Sequence, residues 1–237
     1  MGIENKKILL VGGTSGIGFE TARQAKQKGG IITIVGSDLS KTMTAAKELG
    51  TDQFASFDVA NESEVRKGLS SFGTFDHIFV SAGGLVGAGA VLKTESSQLE
   101  MALQQRVMGA FYILKALLPK MTEGSFIFTS GLYADRPASG SSAVASSVGA
   151  IESMVKALAL ELAPIRINAI SPGVIDTPLM RGFLGDAKQD VYANLAASLP
   201  SRRIGLPSDI AKTALFLMES GYINGETIHV DGGGRLI

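Results

Sequence analysis

Three glycines near the start of the chain are spaced so that the backbone can bind a phosphate. The segment contains Gly12, Thr14, Ser15, Gly16 and Gly18. The apolar run at 8–11 before it favours a buried strand, and a helical pattern begins at Ile17. Glycines that merely end a strand are the alternative. A strand that turns directly into a helix leaves N–H groups at the positive end of the helix dipole, which favours a nucleotide phosphate site.

Strand and helix patterns then alternate along the chain. Further strands are predicted at 31–35, 53–57, 75–81, 125–130, 166–170 and 228–230, and further helices at 40–49, 62–72, 97–118, 143–162 and 208–218. This alternation predicts an α/β fold with a doubly wound, mostly parallel, seven-stranded sheet of Rossmann type. No linker or repeat divides the chain, so residues 1–237 are expected to form a single domain.

The segment 176–205 interrupts this rhythm between the sixth strand and the last helix. Because ligands bind beyond the carboxyl ends of such strands, we expect 176–205 to be a lid over the substrate. Its apolar members either line the pocket or form the lid's own core; they are Met180, Phe183, Leu184 and Leu195.

Composition excludes several classes of function. The 237 residues are 45% hydrophobic and carry no net charge, so nothing favours a nucleic acid or membrane partner. Cysteine is absent, and His77 and His229 are far apart in sequence, so neither thiol chemistry nor a metal site is expected. The chain has no signal peptide pattern and no apolar run of membrane-spanning length, which predicts a cytoplasmic protein.

A set of motifs extends over almost the whole chain. They are VGGTSGIG at 11–18, Asp58-Val59, VSAG at 80–83, LALELAP at 158–164, RINAISPG at 166–173, Thr177 and GETIHVDGG at 225–233. In this order the chain resembles the short-chain dehydrogenase/reductase family. The resemblance implies an NAD(P)-dependent oxidoreductase that acts on a small molecule and forms a homotetramer or homodimer.

The resemblance also assigns cofactor contacts. The matching positions are Gly12, Thr14, Ser15, Gly16, Ile17, Gly18, Asp58, Val59, Ser81, Ala82, Gly83, Pro172, Gly173, Val174, Ile175 and Thr177. In the family, the glycine segment holds the pyrophosphate, Asp58-Val59 the adenine, and 172–177 the nicotinamide. The chain departs from the family at Val11, commonly threonine there, and at Val80 and Ser81, where the family has two asparagines that brace the sheet.

The end of the second strand bears on the choice between NADP and NAD. An acid there would bind the ribose 2′-hydroxyl and repel a 2′-phosphate. The chain has Gly36, followed by Ser37 as a donor and Lys41 as a charge partner, which favours NADP. Asp38, one residue later, would favour NAD, and all four positions are also compatible with a solvated loop.

The largest departures fall on the family's catalytic residues. Counted from LALELAP, its asparagine, serine, tyrosine and lysine correspond to Arg106, Gly131, Val144 and Val148. A lysine one helical turn after a tyrosine normally lowers the phenol pKa for proton transfer. Valine neither donates a proton nor carries a charge, so this mechanism is absent in that register.

Other residues near these positions are candidate substitutes, namely Arg106, Ser130 and Tyr133. A guanidinium at 106 would hold a carboxylate or polarise a carbonyl, unless it turns away to pair with Glu100 or Glu161. Tyr133 is either an acid or a loop-packing aromatic. Two hypotheses remain: an NADP-dependent oxidoreductase with a non-standard active site for a carbonyl, alcohol or activated substrate, and an inactive NADP(H)-binding sensor or partner subunit.

Overall fold

A parallel sheet organises the chain. The computed structural model describes residues 2–237, and within that range seven strands lie in the order β3-β2-β1-β4-β5-β6-β7. The strands are β1 Lys7–Val11, β2 Ile31–Gly36, β3 Phe54–Ser56, β4 His77–Val80, β5 Ser125–Thr129, β6 Arg166–Pro172 and β7 Thr227–Val230. The order reverses between β1 and β4, which creates the crevice where such sheets bind ligands. The predicted doubly wound α/β fold is confirmed.

Helices cover both faces of the sheet. They are α1 Gly16–Gln27, α2 Leu39–Leu49, α3 Glu62–Ser70, α4 Ser96–Leu103, α5 Gly109–Leu117, α6 Ser142–Glu161, α7 Pro178–Leu184, α8 Lys188–Ser198 and α9 Pro207–Glu219. One apolar cluster joins the sheet to α3, α5 and α6, and the other joins it to α1, α2 and α9. Strand residues alternate between the two clusters, so a residue's place in its strand decides which helices it meets.

The helix predicted over 97–118 is not continuous. It divides into α4 and α5 around a π-helical turn at Gln104–Met108. Gly109 begins α5 where a Cβ would lie 3.0 Å from the carbonyl oxygen of Val59, so the helix approaches that loop closely. A π-helical turn contains one more residue than an α-helical turn, and this small change is not visible in the apolar pattern of the sequence. The turn contains Arg106, one of the candidate site residues.

The helix α6 requires one correction. Contrary to the expectation from apolar runs, its 20 residues are long and apolar enough to cross a membrane by length and composition alone. The core helix of a globular domain passes the same test. Ile151 and Val155 are fully enclosed in the cluster that joins α6 to the sheet, so the apolar character of α6 is explained by packing.

The expected lid segment contains two helices of its own. Thr177 caps α7, its hydroxyl accepting from the Met180 backbone N–H at 3.2 Å. Asp176 accepts from Arg181 at 2.8 Å and from the Tyr192 hydroxyl at 3.2 Å, which links α7 to α8. These polar contacts hold the segment together over the carboxyl ends of the strands.

Candidate functional site

The turn between β1 and α1 leaves backbone donors free. Ser15 precedes α1, its side chain makes no capping hydrogen bond, and no acid lies in the first turn. Gly12 and Gly16 have φ of 88° and 53°, a conformation that favours glycine. A Cβ on Gly18 would overlap the Gly12 carbonyl, so helix and strand come closer than any other residue permits. The geometry suits a pyrophosphate at the helix N-terminus.

Ser81 supports this turn from the neighbouring strand. Its hydroxyl lies 3.3 Å from the Val11 carbonyl oxygen and 3.4 Å from that of Gly12. The contact joins the end of β4 to the phosphate turn. A hydroxyl therefore replaces part of the bracing that asparagine gives at this position in the family that the sequence resembles.

A large cavity extends from this turn across the carboxyl ends of β1, β4, β5 and β6. Its volume is about 1140 Å³, which exceeds the roughly 300–1,000 Å³ of ordinary small-molecule pockets. Every cofactor residue predicted from the sequence lines it except Lys41. The six candidate and aligned catalytic positions also line it: Arg106, Ser130, Gly131, Tyr133, Val144 and Val148. Room for a dinucleotide and a second molecule is therefore present.

The ribose end of the cavity explains the missing acid at position 36. A Cβ on Gly36 would lie 2.6 Å from the Thr42 hydroxyl and would overlap the Thr14 methyl group. Asp38 caps α2, its carboxylate accepting from the Lys41 N–H at 2.8 Å. Ser37 lines the cavity, whereas Asp38 and Lys41 lie outside its wall. One oxygen of the Asp38 carboxylate thus holds the helix, and the residue does not line the cavity.

Asp58 and Val59, the two residues expected to contact adenine, line the cavity. The Asp58 carboxylate accepts from the Ala60 N–H at 2.9 Å, and its own N–H donates to Glu64 at 3.0 Å. These contacts fix the loop after β3 while one carboxylate oxygen remains available. An exocyclic amine of a purine fits that acceptor.

One wall of the cavity is apolar where the resembled family has its proton relay. Val144 and Val148 are 3% and 2% exposed and lie one turn apart on α6. A Cβ on Gly131 would meet Val148 at 3.4 Å, an ordinary contact. Within residues 2–237, Tyr133 is the single tyrosine that lines the cavity, and no lysine does. A phenol and an ammonium are thus not brought together there.

Arg106 points into the cavity from the π-helical turn. Its Nη1 donates to the Thr129 carbonyl at 3.3 Å and its Nη2 to the Gly84 carbonyl at 3.2 Å. Burial lowers the pKa of Arg106 to about 10, so the guanidinium stays charged at neutral pH.

No acid compensates this charge. Among residues 2–237, no carboxylate lies within ion-pair distance of Arg106. The alternative in which Arg106 turns away to pair with Glu100 or Glu161 is therefore wrong. A half-buried cation without a counter-ion is unfavourable in free energy, and an anion in the cavity would offset that cost.

The loop after β5 places the other candidates. Ser130 donates to Glu152 at 2.6 Å, a residue that sequence reasoning missed because no motif marks it. Tyr133 is 36% exposed and lines the cavity, as does Arg136, which donates to the Gly234 carbonyl at 2.9 Å. The Ser130 hydroxyl is thus bonded to an acid from α6, whereas the Tyr133 side chain is partly exposed to solvent.

Comparison with known proteins agrees with this geometry. The family described as "Enoyl-(Acyl carrier protein) reductase" matches residues 11–234. "Short-chain dehydrogenase/reductase ucsE" of Acremonium sp is 32% identical, over 98% of this chain and 96% of that protein. The fold and the cavity match those of the class of dinucleotide-binding oxidoreductases, and the chain belongs to the short-chain dehydrogenase/reductase family.

Two solved structures are similar over nearly their whole length. The MalC Reductase/Diels-Alderase from Malbranchea aurantiaca superposes with a TM-score of 0.93 at 27% identity, over 99% of this chain and 98% of MalC. A small-chain dehydrogenase in complex with NADPH superposes with a TM-score of 0.86 at 32% identity, over 99% of this chain and 100% of that one. The Rossmann-type fold is thus shared with reductases.

Proposed function

We propose that this protein is an NADP-dependent oxidoreductase that reduces an activated acceptor, such as an enone, a quinone or a polarised carbonyl, without the family's tyrosine–lysine relay. NADPH, when bound, supplies the hydride. The chain's own residues bind the acceptor and stabilise the negative charge that hydride transfer creates on its oxygen. An activated acceptor forms a stable oxyanion and needs less help from a general acid.

The charge on Arg106 carries this proposal. It is a fixed cation in a largely apolar cavity, close to the carboxyl ends of β4 and β5. Removing one preorganised donor from such a site typically costs roughly 10²–10³-fold in rate, comparable to the roughly 10²–10⁴-fold that a general acid contributes. Arg106 is thus able to supply a contribution of the same order as the relay that Val144 and Val148 exclude.

The preference for NADP rests on the ribose end of the cavity. Position 36 has no space for an acidic side chain, and Asp38 is engaged in capping α2. Ser37 remains as a donor for a 2′-phosphate. A family member of 32% identity has a structure in complex with NADPH. We further propose that the protein works in the cytoplasm as a homotetramer or homodimer, with 176–205 as the substrate lid.

The second candidate is an NADP(H)-binding sensor or partner subunit without turnover. The apolar wall at Val144 and Val148 favours it, since the phosphate turn keeps its glycines while the relay is gone. The two candidates differ in whether any acceptor consumes NADPH.

The test is a screen for NADPH oxidation with aldehydes, ketones, quinones and activated enones, followed by Arg106→Met, Arg106→Lys and Tyr133→Phe on the best acceptor. Arg106→Met should lower kcat roughly 10²–10³-fold, with the Kd for NADPH little changed. Arg106→Lys should recover part of the loss. Arg66→Met, which removes an exposed guanidinium from α3, is the matched control.

The outcomes separate the candidates. Unchanged kcat in Arg106→Met refutes the role of the guanidinium, and an equally large loss in Tyr133→Phe instead assigns proton transfer to the phenol. Tight NADPH binding without oxidation by any acceptor favours the sensor or partner subunit.

A further inference from the structure

A polar row crosses the sheet beneath α6, behind the cofactor cavity. The register pairs Thr129 of β5 with Ile170 of β6, and Ser171 of β6 with His229 of β7. Ser130, Ser171 and His229 are therefore neighbours, and alternation along the strands places all three on the face that α6 covers. Elsewhere this face is mostly apolar, with Thr33 of β2 and Thr227 of β7 as further polar members.

Two carboxylates approach this row from different elements. Asp135 comes from the loop after β5, and its Oδ2 lies 2.8 Å from His229 Nε2. Glu152 comes from α6 and accepts from Ser130 at 2.6 Å. The donor atoms of Asp135, Glu152 and His229 all lie within 4.8 Å of one another.

Pairing of this cluster with the rest of the protein is limited. Asp135 pairs with His229 at 2.8 Å. Within residues 2–237, neither Asp135 nor Glu152 forms an ion pair with a lysine or an arginine. Two carboxylates and one imidazole therefore face one small volume, and a divalent cation would balance the two carboxylates.

Ser171 provides a second, independent observation. The residue is 1% exposed, and its hydroxyl has no hydrogen-bond partner within the described chain. It stands in the row between Ser130 and His229, so the hydroxyl faces the same side of the sheet as the imidazole. Buried hydroxyls rarely lack a partner, and the Thr227 hydroxyl on β7 is the other one without a partner in the described chain. A water or an ion beside Ser171 would supply the missing bond.

We propose that Asp135, Glu152 and His229 bind a divalent transition-metal cation such as Zn²⁺ or Mn²⁺, with a metal-bound water completing the bond to Ser171. One imidazole with two carboxylates is a donor set that such cations accept, whereas Mg²⁺ prefers oxygen alone. At metal–ligand distances of roughly 2.1 Å, opposite donors are no more than about 4.2 Å apart. Binding would close the cluster from its spacing of at most 4.8 Å.

The site joins three elements around the cofactor cavity. Ser130 and Tyr133, on the same loop as Asp135, both line that cavity. A cation held by this loop, α6 and β7 would fix the cavity wall. It lies outside the cavity lining itself, so its role is to hold the wall and not to contact the acceptor.

The experiment uses tag-free protein freed of metal by a chelator. Isothermal titration with Zn²⁺ and with Mn²⁺ should give one site per chain, while Mg²⁺ should bind far more weakly. His229→Gln and Asp135→Asn should each weaken Zn²⁺ binding by more than roughly tenfold, since even groups behind metal ligands contribute roughly 10–100-fold. Glu100→Gln, which removes an exposed carboxylate from α4, should change nothing.

Crystals soaked in ZnCl₂ should show an anomalous peak bonded to His229 Nε2. The proposal is overturned if neither Zn²⁺ nor Mn²⁺ binds at one per chain, if His229→Gln binds as tightly as the parent, or if Mg²⁺ binds equally well. A water in place of the peak would also overturn it.

Discussion

Burial of His77 makes the stability of the fold depend on pH in a defined direction. The side chain is 8% exposed on β4, and its Nδ1 lies 2.9 Å from the Ser125 hydroxyl. Burial lowers the pKa of His77 to about 4 from its ordinary 6.5, a shift that nearby Arg166 and Lys6 reinforce and Asp76 opposes. The imidazole is therefore neutral in the folded protein near neutral pH.

The sign and size of the effect follow by linkage. Between the two pKa values, His77 is protonated in the unfolded chain but not in the folded chain. The free energy of unfolding therefore falls as the pH falls. With pKa values of about 4 folded and 6.5 unfolded, the loss between pH 7 and pH 5 is about 2 kcal/mol. The paired carboxylates with lowered pKa, such as Asp76 and Asp231, lose their stabilising effect at lower pH.

The assay is urea unfolding at pH 7, 6 and 5, for the parent and for His77→Gln. Glutamine keeps a hydrogen-bonding group for Ser125 and does not titrate, so the pH-dependent loss should shrink by about 2 kcal/mol in the variant. The absolute stability of the variant does not enter the comparison, because only its slope with pH is used. Equal slopes for parent and variant would refute the burial argument.

Two further predictions concern the contact of Arg166 in β6 with the end of α9, and the cofactor preference. Arg166→Met removes a guanidinium that donates to the carbonyls of Leu217 at 2.9 Å and Met218 at 3.0 Å. Urea unfolding should show that the free energy of unfolding falls by about 2–3 kcal/mol, with no change in the exposed control Lys212→Met. An unchanged unfolding midpoint in Arg166→Met would contradict this prediction. Ser37→Asp places a carboxylate at the end of the cavity assigned to the ribose. Fluorescence titration should show NADPH binding weakened more than roughly tenfold, since each tenfold needs only about 1.4 kcal/mol, and NADH binding should not be weakened. If NADH binding is weakened and NADPH binding is not, residue 37 does not face the 2′-position.

The strands and the phosphate turn were predictable because their signals are local. Apolar runs such as 8–11 indicate a strand that is covered on both faces, and the glycines after this run indicate a turn with positive φ. The doubly wound order then follows from the handedness of the connections. The close contacts at Gly18 and Gly36 could be seen only in the structure, because they join positions that are distant in sequence.

The environment of the candidate site was less predictable. The π-helical turn at Gln104–Met108 leaves the apolar pattern almost unchanged, yet it decides where Arg106 points. Asp135, Glu152 and His229 are separated by up to 94 residues and come together from a loop, a helix and a strand. Pairings between distant positions leave no periodic signal in one sequence, which is why the sequence did not indicate that these three residues meet.

The valines on α6 have a consequence for any attempt to introduce a tyrosine–lysine pair here. Lysine alone at 148 would add a second cation to a cavity that already holds Arg106, and tyrosine alone at 144 would lack the ammonium that makes its proton available. Each single substitution is therefore unfavourable or without benefit. A gain in proton transfer requires both substitutions in the same variant.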